Sequence, residues 1–243
     1  MQVAEGVHRL TGGVCNFYLV EEGGRVLLVD AGVPGDWDLL VRTLPALGRR
    51  LEDLEAVLVT HAHSDHTGFA ERARAAVGVP VWIHEADAAV AGGAKPPKND
   101  GRASRYLLRV EFWRTLFSLT SRGGVRMVPV KELSTFGDGE TLQLPGSPRV
   151  AHAPGHTPGS AALLLEGRRV LLTGDMLCTR NPLTGRDGPQ VMPSGLNRDT
   201  PQALRSLDLL DPIPADVLLP GHGDPWTRGA AEAARLARAA GPS

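Results

Sequence analysis

A group of four polar side chains directly after a short apolar run is the strongest constraint in this sequence. The run Ala56–Val59 has the apolar, β-branched character of a buried strand. Three histidines and an aspartate then fall within six residues, as His61, His63, Asp65 and His66. Imidazole nitrogens and carboxylate oxygens are ligands that zinc and neighbouring first-row metals accept. Because four titratable groups at the end of a buried strand are costly without a cation, the cluster predicts a metal centre mounted on a sheet.

The spacing of these side chains favours two ions. Residues i and i+2 of an extended chain point the same way, so His61 and His63 can share one ion. Asp65 and His66 follow as the chain turns, and they can serve a second ion. Two ions with open positions need about seven ligands, so other parts of the chain must supply the rest. The candidates are His156 in A-P-G-H-T-P-G-S, Asp175 in V-L-L-T-G-D and His222 in L-L-P-G-H-G-D.

Strands alternate with helices along the chain, which indicates an α/β fold. We expect a hairpin over Val14–Glu21 and Arg25–Asp30, and helices over Asp36–Leu47 and Thr67–Val77. A single domain is expected for residues 1–243, because this length suffices for one large α/β domain.

Two segments recur in the same order. V-L-L-V-Asp30 resembles V-L-L-T-G-Asp175, and V-L-V-T-His61 resembles V-L-L-P-G-His222. In each, an apolar run delivers a polar residue at its C-terminal end. Although buried strands often look alike, the shared order predicts two related halves that meet within residues 110–130.

Two insertions interrupt the pattern. We expect residues 92–124 to form a helical cap over the metal site, with an amphipathic helix over Arg102–Thr120. Residues 178–200 are rich in Gly, Pro and Asn and are expected to form an active-site loop. Residues 95–126 contain eight Lys or Arg and two acidic residues, which gives 8 − 2 = +6 in a chain of net charge −1. The candidate substrate contacts in the two insertions are Arg105, Arg109, Phe112, Met192 and Asn197.

These insertions leave two interpretations open. The cap can meet an anionic or amphipathic small-molecule substrate. It can equally be a solvated basic face above an ordinary apolar stripe formed by Leu108, Phe112, Leu116 and Leu119.

Composition excludes several classes of protein. A near-neutral net charge argues against general binding of nucleic acid. No apolar run approaches the roughly 18 residues of a membrane helix, and no secretory signal is visible. Cys15 and Cys178 match no metal-ligand spacing, so a reducing, cytoplasmic compartment is expected. The sequence leaves the oligomeric state open.

Taken in order, T-H-A-H-S-D-H, P-G-H-T-P-G, T-G-D and P-G-H-G resemble the motifs of the metallo-β-lactamase fold superfamily. The resemblance spans residues 30–224 and implies a four-layer αβ/βα sandwich with two similar halves and metals at one edge between them. It implies a first metal held by His61, His63 and His156, a second held by Asp65, His66 and His222, and a bridging Asp175. Asp30 matches an acidic position that can accept a hydrogen bond from a ligand histidine and fix its tautomer.

The resemblance also narrows the chemistry. This chain has Asp175 where the penicillin-cleaving branch uses Cys, so the glyoxalase II, lactonase, thioesterase and persulfide dioxygenase branches resemble it more closely. The expected function is hydrolysis of an ester, thioester, lactone or amide bond by hydroxide bridging two zinc ions, with Asp65 orienting the nucleophile. Iron and manganese are alternative metals.

Three other functions compete with this one. A mononuclear iron persulfide dioxygenase would use only His61, His156 and Asp175. A nuclease of the same superfamily is disfavoured by the net charge and by the lack of a nucleic-acid-binding appendage. A non-catalytic metal-binding scaffold is disfavoured because no ligand position is missing.

Overall fold

The computed structural model of the protein describes all 243 residues. The strands are β1 (Gln2–Ala4), β2 (Val7–Thr11), β3 (Asn16–Glu22), β4 (Arg25–Val29), β5 (Leu54–Val59), β6 (Val81–His84), β7 (Ser134–Phe136), β8 (Arg149–His152), β9 (Ala161–Leu165), β10 (Val170–Gly174), β11 (Cys178–Arg180), β12 (Asp187–Gln190) and β13 (Val217–Pro220). The α-helices are α1 (Trp37–Ala46), α2 (Ala70–Val77), α3 (Glu85–Ala91), α4 (Val110–Ser121), α5 (Thr200–Ser206) and α6 (Ala230–Ala240). None of them is long and apolar enough to cross a bilayer.

Two sheets face each other to form the centre of the fold. The first has seven strands in the order β1 to β7, antiparallel from β1 to β4 and parallel from β4 to β7. The second has the order β13-β10-β9-β8, and β11 pairs with β12 in a separate ribbon. Helices cover the outer face of each sheet, which confirms the predicted four-layer sandwich.

Alternating side chains along the central strands build the layers, because successive residues of a strand point to opposite faces. In β4, Val26 and Leu28 belong to the core under α1 and α2. Leu27 and Val29 belong to the core between the two sheets. Leu171 of β10 points to the opposite side of the second sheet, in the core under α6. These strands are therefore buried on both faces, which explains their continuous apolar runs.

The two recurrent segments occupy equivalent positions in the two sheets. β4 and β5 are parallel neighbours, and so are β10 and β13. Asp30 and His61 follow the first pair, whereas Asp175 and His222 follow the second. Because the C-terminal ends of parallel neighbours lie at the same sheet edge, each half presents its polar residues at one edge of the sandwich.

Local sequence signals predicted most of these elements. The expected hairpin is confirmed by β3 and β4, in which Glu22 lies opposite Arg25. The two expected early helices are present as α1 and α2, although α2 begins at Ala70. The segment 178–200, expected to be a loop, contains the β11-β12 ribbon.

The predicted helix over Arg102–Thr120 is wrong in its first part. Arg102 and Arg109 have extended backbones, and the short turn of 3-10 helix between them ends at Tyr106, a buried residue. Just before this turn, the amides of Asp100 and Gly101 donate to carbonyls of the 178–200 segment at 2.8 Å. These long-range contacts bend the chain, so the regular helix starts only at α4.

This bend changes the predicted surfaces. Leu108 lies outside α4 and is 98% exposed, so it is not part of a buried stripe. Arg105 and Arg109 are exposed and precede α4, so they do not share a helix face. Phe112 lies on α4 and is half-buried.

Candidate metal centre

Seven side chains from both halves converge at one edge of the sandwich. Four come from the loop after β5, two follow β10 and β13, and one lies in the loop between β8 and β9. They are His61, His63, Asp65, His66, His156, Asp175 and His222, the residues expected from the sequence. Their possible ligand atoms fall into three overlapping groups, within each of which the atoms lie within 4.8 Å of one another.

His61, His63 and His156 form the first group. Nδ1 of His63 lies 2.9 Å from Nε2 of His156. His61 and His156 are buried, whereas His63 is half-buried at the edge of the site. Three converging imidazole nitrogens can hold one first-row metal ion and leave a further position open.

Asp65, His66 and His222 form the second group. Oδ2 of Asp65 lies 3.5 Å from Nε2 of His222 and 3.9 Å from Nε2 of His66. Both histidines are buried, and Asp65 is half-buried. This group therefore offers two nitrogens and one carboxylate oxygen beside the first group.

Asp175 lies between the two groups. Its Oδ2 is 3.3 Å from Nε2 of His156 and 3.2 Å from Nε2 of His222. Its Oδ1 is 3.5 Å from Nε2 of His66. One carboxylate thus faces both groups, which is the arrangement needed to bridge two cations.

Hydrogen bonds on the outer side of four histidines aim their other nitrogens inward. Nδ1 of His61 contacts Thr60 Oγ1 at 3.1 Å, and Nδ1 of His66 contacts Asp30 Oδ2 at 2.8 Å. Nδ1 of His156 contacts Asn197 Oδ1 at 3.0 Å, and Nδ1 of His222 contacts the Val14 carbonyl at 2.8 Å. Such outer contacts fix the tautomer and orientation of metal-binding imidazoles. His63 differs, because its Nδ1 faces the cluster.

The histidines of the two groups differ in the direction of their pKa shifts. Burial lowers the pKa of His61 and His63 well below the usual range, and lowers that of His156. Burial opposes protonation of His66 and His222 as well, but Asp175 and the neighbouring carboxylates outweigh it and raise the pKa of both.

Three buried atoms inside the cluster have no hydrogen-bond partner: His61 Nε2, His66 Nε2 and Asp175 Oδ1. A buried polar atom without a partner costs about 1–3 kcal/mol. Metal cations bound by the two groups would compensate all three atoms. The donor set of imidazole nitrogens and carboxylate oxygens fits zinc, iron or manganese.

A cavity of about 210 Å³ opens onto this cluster. Its polar side includes His63, Asp65, His156, Asp175 and His222. Its other walls come from the two insertions and include Thr115, Leu119, Pro182, Leu183, Met192 and Leu196. A larger polar groove of about 520 Å³ contains none of the seven cluster residues.

Of the five residues expected to contact substrate, the structure places only Met192 in the lining of the cavity at the cluster. Arg105, Arg109 and Phe112 do not line it, and Asn197 is fully buried. Asn197 Oδ1 instead accepts from the Nδ1–H of His156 at 3.0 Å, and its side-chain NH2 donates to the Met192 carbonyl at 2.7 Å.

Sequence reasoning missed two residues beside the cluster, Asp87 and Arg198. Asp87 is buried and accepts a hydrogen bond from the amide of Ala62 at 2.7 Å. Arg198 reaches Nε2 of His63 at 3.3 Å. Neither follows an apolar run or stands in a short motif, so no local signal marked them.

Comparison with known proteins gives the same picture. Residues 10–222 match the family model described as the metallo-beta-lactamase superfamily. The chain is 28% identical over 237 residues to the probable metallo-hydrolase YflN of Bacillus subtilis, covering 93% of this chain and 87% of YflN.

Solved structures are similar over almost the whole chain. The metallo-beta-lactamase family protein TTHA1429 of Thermus thermophilus has a TM-score of 0.68 and 26% identity, covering 97% of this chain and 79% of that protein. The protein TTHA1623, crystallised in a di-iron-bound form, has a TM-score of 0.61 and 27% identity, covering 93% and 96% of the two chains.

Proposed function

Because this chain belongs to the metallo-beta-lactamase superfamily and is a hydrolase, we propose that it cleaves an ester, thioester, lactone or amide bond of a small molecule with two metal ions. The observation that carries this proposal is the position of Asp175, which faces both groups of ligand atoms. A pair of ions bound there would acidify water and polarise a carbonyl group. His61, His63 and His156 would hold one ion, and Asp65, His66 and His222 the other.

Asp65 is proposed to act on the nucleophile as well. It is half-buried and lines the cavity, whereas Asp175 is almost fully buried. Its carboxylate can therefore accept a hydrogen bond from water in the cavity and orient that water for attack on a carbonyl carbon. The same carboxylate lies beside His222, which keeps it oriented.

The cavity supports a small organic substrate. A volume of about 210 Å³ leaves room for the reacting group and a short chain of carbon atoms. Leu119, Leu183 and Leu196 contribute apolar side chains to its lining. Binding an apolar portion there would exclude water from the carbonyl group and strengthen the electrostatic interactions at the centre.

Metal identity is a separate part of the proposal. Zinc is the first choice, because imidazole and carboxylate ligands in open four-coordinate groups are typical of hydrolytic zinc sites. Iron is the alternative, since TTHA1623 was crystallised in a di-iron-bound form. A mononuclear iron dioxygenase would need only three ligands, and it leaves the four other convergent side chains without a role. We propose a cytoplasmic location, since both cysteines are buried and unpaired.

Metal analysis followed by a substrate screen tests the proposal. Protein loaded with zinc, iron or manganese is expected to retain about two equivalents per chain. Asp175→Asn should lose at least one equivalent, whereas Asp187→Asn, which removes an exposed carboxylate, should retain both. The loaded protein is then assayed against thioesters, lactones, β-lactams and phosphodiesters. Retention of less than one equivalent, or equal hydrolysis by metal-stripped protein, would contradict a two-metal hydrolase.

A further inference from the structure

Arg198 occupies an unusual position beside the first group of ligands. Its backbone amide donates to the carbonyls of Gly155 and His156, at 3.0 and 3.1 Å, so the ligand loop itself positions it. Its Nη1 donates to Asn99 Oδ1, and its Nη2 lies 3.3 Å from Nε2 of His63. The guanidinium group therefore sits against a residue of the metal centre.

This guanidinium group lacks a carboxylate partner. Its Nε is buried and has no hydrogen-bond acceptor. Asp87 is the carboxylate whose charge acts on Arg198, but its oxygens already accept from Ala62, Thr157 and Gly159. A half-buried cation without an anionic partner is costly, so the position favours an incoming anion.

The contact between Arg198 and His63 also favours an incoming anion. Nδ1 of His63 faces the ligand cluster, at 2.9 Å from His156 Nε2. When that nitrogen binds a metal, the neutral ring carries its proton on Nε2. The Nε2–H and the guanidinium N–H are then both donors and cannot bond to each other. An acceptor oxygen, supplied by water or by an acid group, would accept from both donors.

A second cavity provides room for such a group. It has a volume of about 390 Å³ and shares His63 and Ser64 with the cavity at the cluster. Lys95 and Arg198 contribute two positive charges to its lining, and the lining contains no aspartate or glutamate. Five of its twelve lining residues are hydrophobic, so it suits an acid group carried on an organic substrate.

We propose that Arg198, together with Lys95 and the Nε2–H of His63, binds an acid group of the substrate while the scissile carbonyl lies at the metal centre. The acid group is a carboxylate or a phosphate. The proposed binding site rests on the positions of Arg198, Lys95 and His63, whereas its role in turnover rests on the proposed hydrolase function. The substrate class is thereby narrowed to anionic esters, thioesters, lactones or amides.

Anion binding tests the site without any assay of turnover. Glutarate and inorganic phosphate are titrated calorimetrically into zinc-loaded wild-type protein, Arg198→Gln and Arg205→Gln. The control removes an exposed arginine whose guanidinium group hydrogen-bonds only to Gln202. Because a charge-assisted hydrogen bond contributes about 1.5–3 kcal/mol, Arg198→Gln should weaken binding about 10- to 100-fold. The preferred probe identifies the acid group as carboxylate or phosphate.

If wild type and Arg198→Gln bind each probe with the same affinity, the proposal is overturned. The anion would then be held elsewhere, such as on the metals. Arg198→Lys, which keeps the charge but not the planar fork, should recover part of the affinity. Metal content and far-UV circular dichroism of each variant establish that the comparison is between folded, loaded proteins.

Turnover separates this proposal from the hydrolase proposal. Two thioesters that differ only in a terminal carboxylate or its primary amide are compared. Wild type should favour the acid by at least about tenfold in kcat/KM, and Arg198→Gln should lose this preference mainly through KM. Hydrolysis without any preference for the acid would overturn the anion site and leave the hydrolase intact. No hydrolysis of any substrate, with anion binding still dependent on Arg198, would overturn the hydrolase alone.

Discussion

Asp30 Oδ2 lies 2.8 Å from Nδ1 of His66, and the two residues lie in the segments that follow the neighbouring parallel strands β4 and β5. The same carboxylate also accepts from the amide and hydroxyl of Thr60 at 2.8 to 3.0 Å. Asp30 adopts a positive φ of 61°, which is uncommon for a residue other than glycine. The strained backbone turns a buried carboxylate toward His66, a proposed ligand, and toward Thr60, which contacts the proposed ligand His61.

Asp30→Asn should weaken metal binding in the second group. An amide at this position cannot replace the charge that holds the Nδ1–H of His66, so this histidine is less well oriented toward the ion. Loss of such an outer contact typically costs about 10- to 100-fold in metal affinity. Competition with a chromophoric chelator measures the change. Asp38→Asn, on the exposed face of α1, is the matched control and should leave both affinities unchanged.

The two groups should respond differently to pH. The pKa values of His66 and His222 are raised, so in metal-free protein these histidines keep their protons to higher pH than a free imidazole does, and a metal must displace those protons. His61, His63 and His156 have lowered pKa values and already present neutral rings. Metal affinity of the second group should therefore fall more steeply with decreasing pH than that of the first group.

Calorimetry in two buffers of different ionisation enthalpy counts the released protons. His63→Ala leaves the second group complete, and His222→Ala leaves the first group complete, so each group can be titrated alone. We expect binding to the second group to release more protons than binding to the first. Equal proton release from the two variants would contradict the raised pKa values of His66 and His222 relative to those of the first group.

Replacement of Arg105 and Arg109 should leave the kinetics nearly unchanged. Both side chains are exposed, and neither lines the cavity at the cluster or the neighbouring cavity with Lys95. We expect the double alanine variant to keep KM for an anionic substrate within about twofold, since exposed charges at a distance are screened by salt. A rise in KM comparable with that of Arg198→Gln would contradict this expectation. It would show instead that Arg105 and Arg109, within the basic segment 95–126, help to bind the anion.

The success of the sequence predictions depended on how local each signal was. His61, His156 and His222 each follow an apolar strand or a Pro/Gly turn, so the residue and its mount could be recognised together. The strands expected at Arg25–Asp30 and Ala56–Val59 followed from the same runs, because strands buried on both faces are continuously apolar.

Residues whose role depends on distant contacts could not be identified in this way. Arg198 lies 135 residues from His63, and its lack of a carboxylate partner is visible only in three dimensions. Asn197 was expected to contact substrate, but burial turns it toward His156 instead. The early start predicted for α4 failed for a related reason, since hydrogen bonds to the 178–200 segment override local helical periodicity.

Asp87 should control the distance between the two halves of the centre. One of its oxygens accepts from the amide of Ala62, next to His61, and from the hydroxyl of Thr157, next to His156, at 2.7 Å each. The other accepts from the amide of Gly159 at 2.8 Å. A single buried carboxylate thus ties the ligand loop of the first half to that of the second.

Asp87→Asn would place an amide donor against at least one of these donors. We expect the free energy of unfolding to fall by about 1–3 kcal/mol, because a buried donor is left without an acceptor. Urea denaturation of metal-free protein measures that loss, with the exposed Asp208→Asn as control. Metal affinity of the first group should also decrease, since His61 and His156 are held by different loops. A variant with lower stability but unchanged affinity of this group would show that Asp87 supports the fold without positioning the centre.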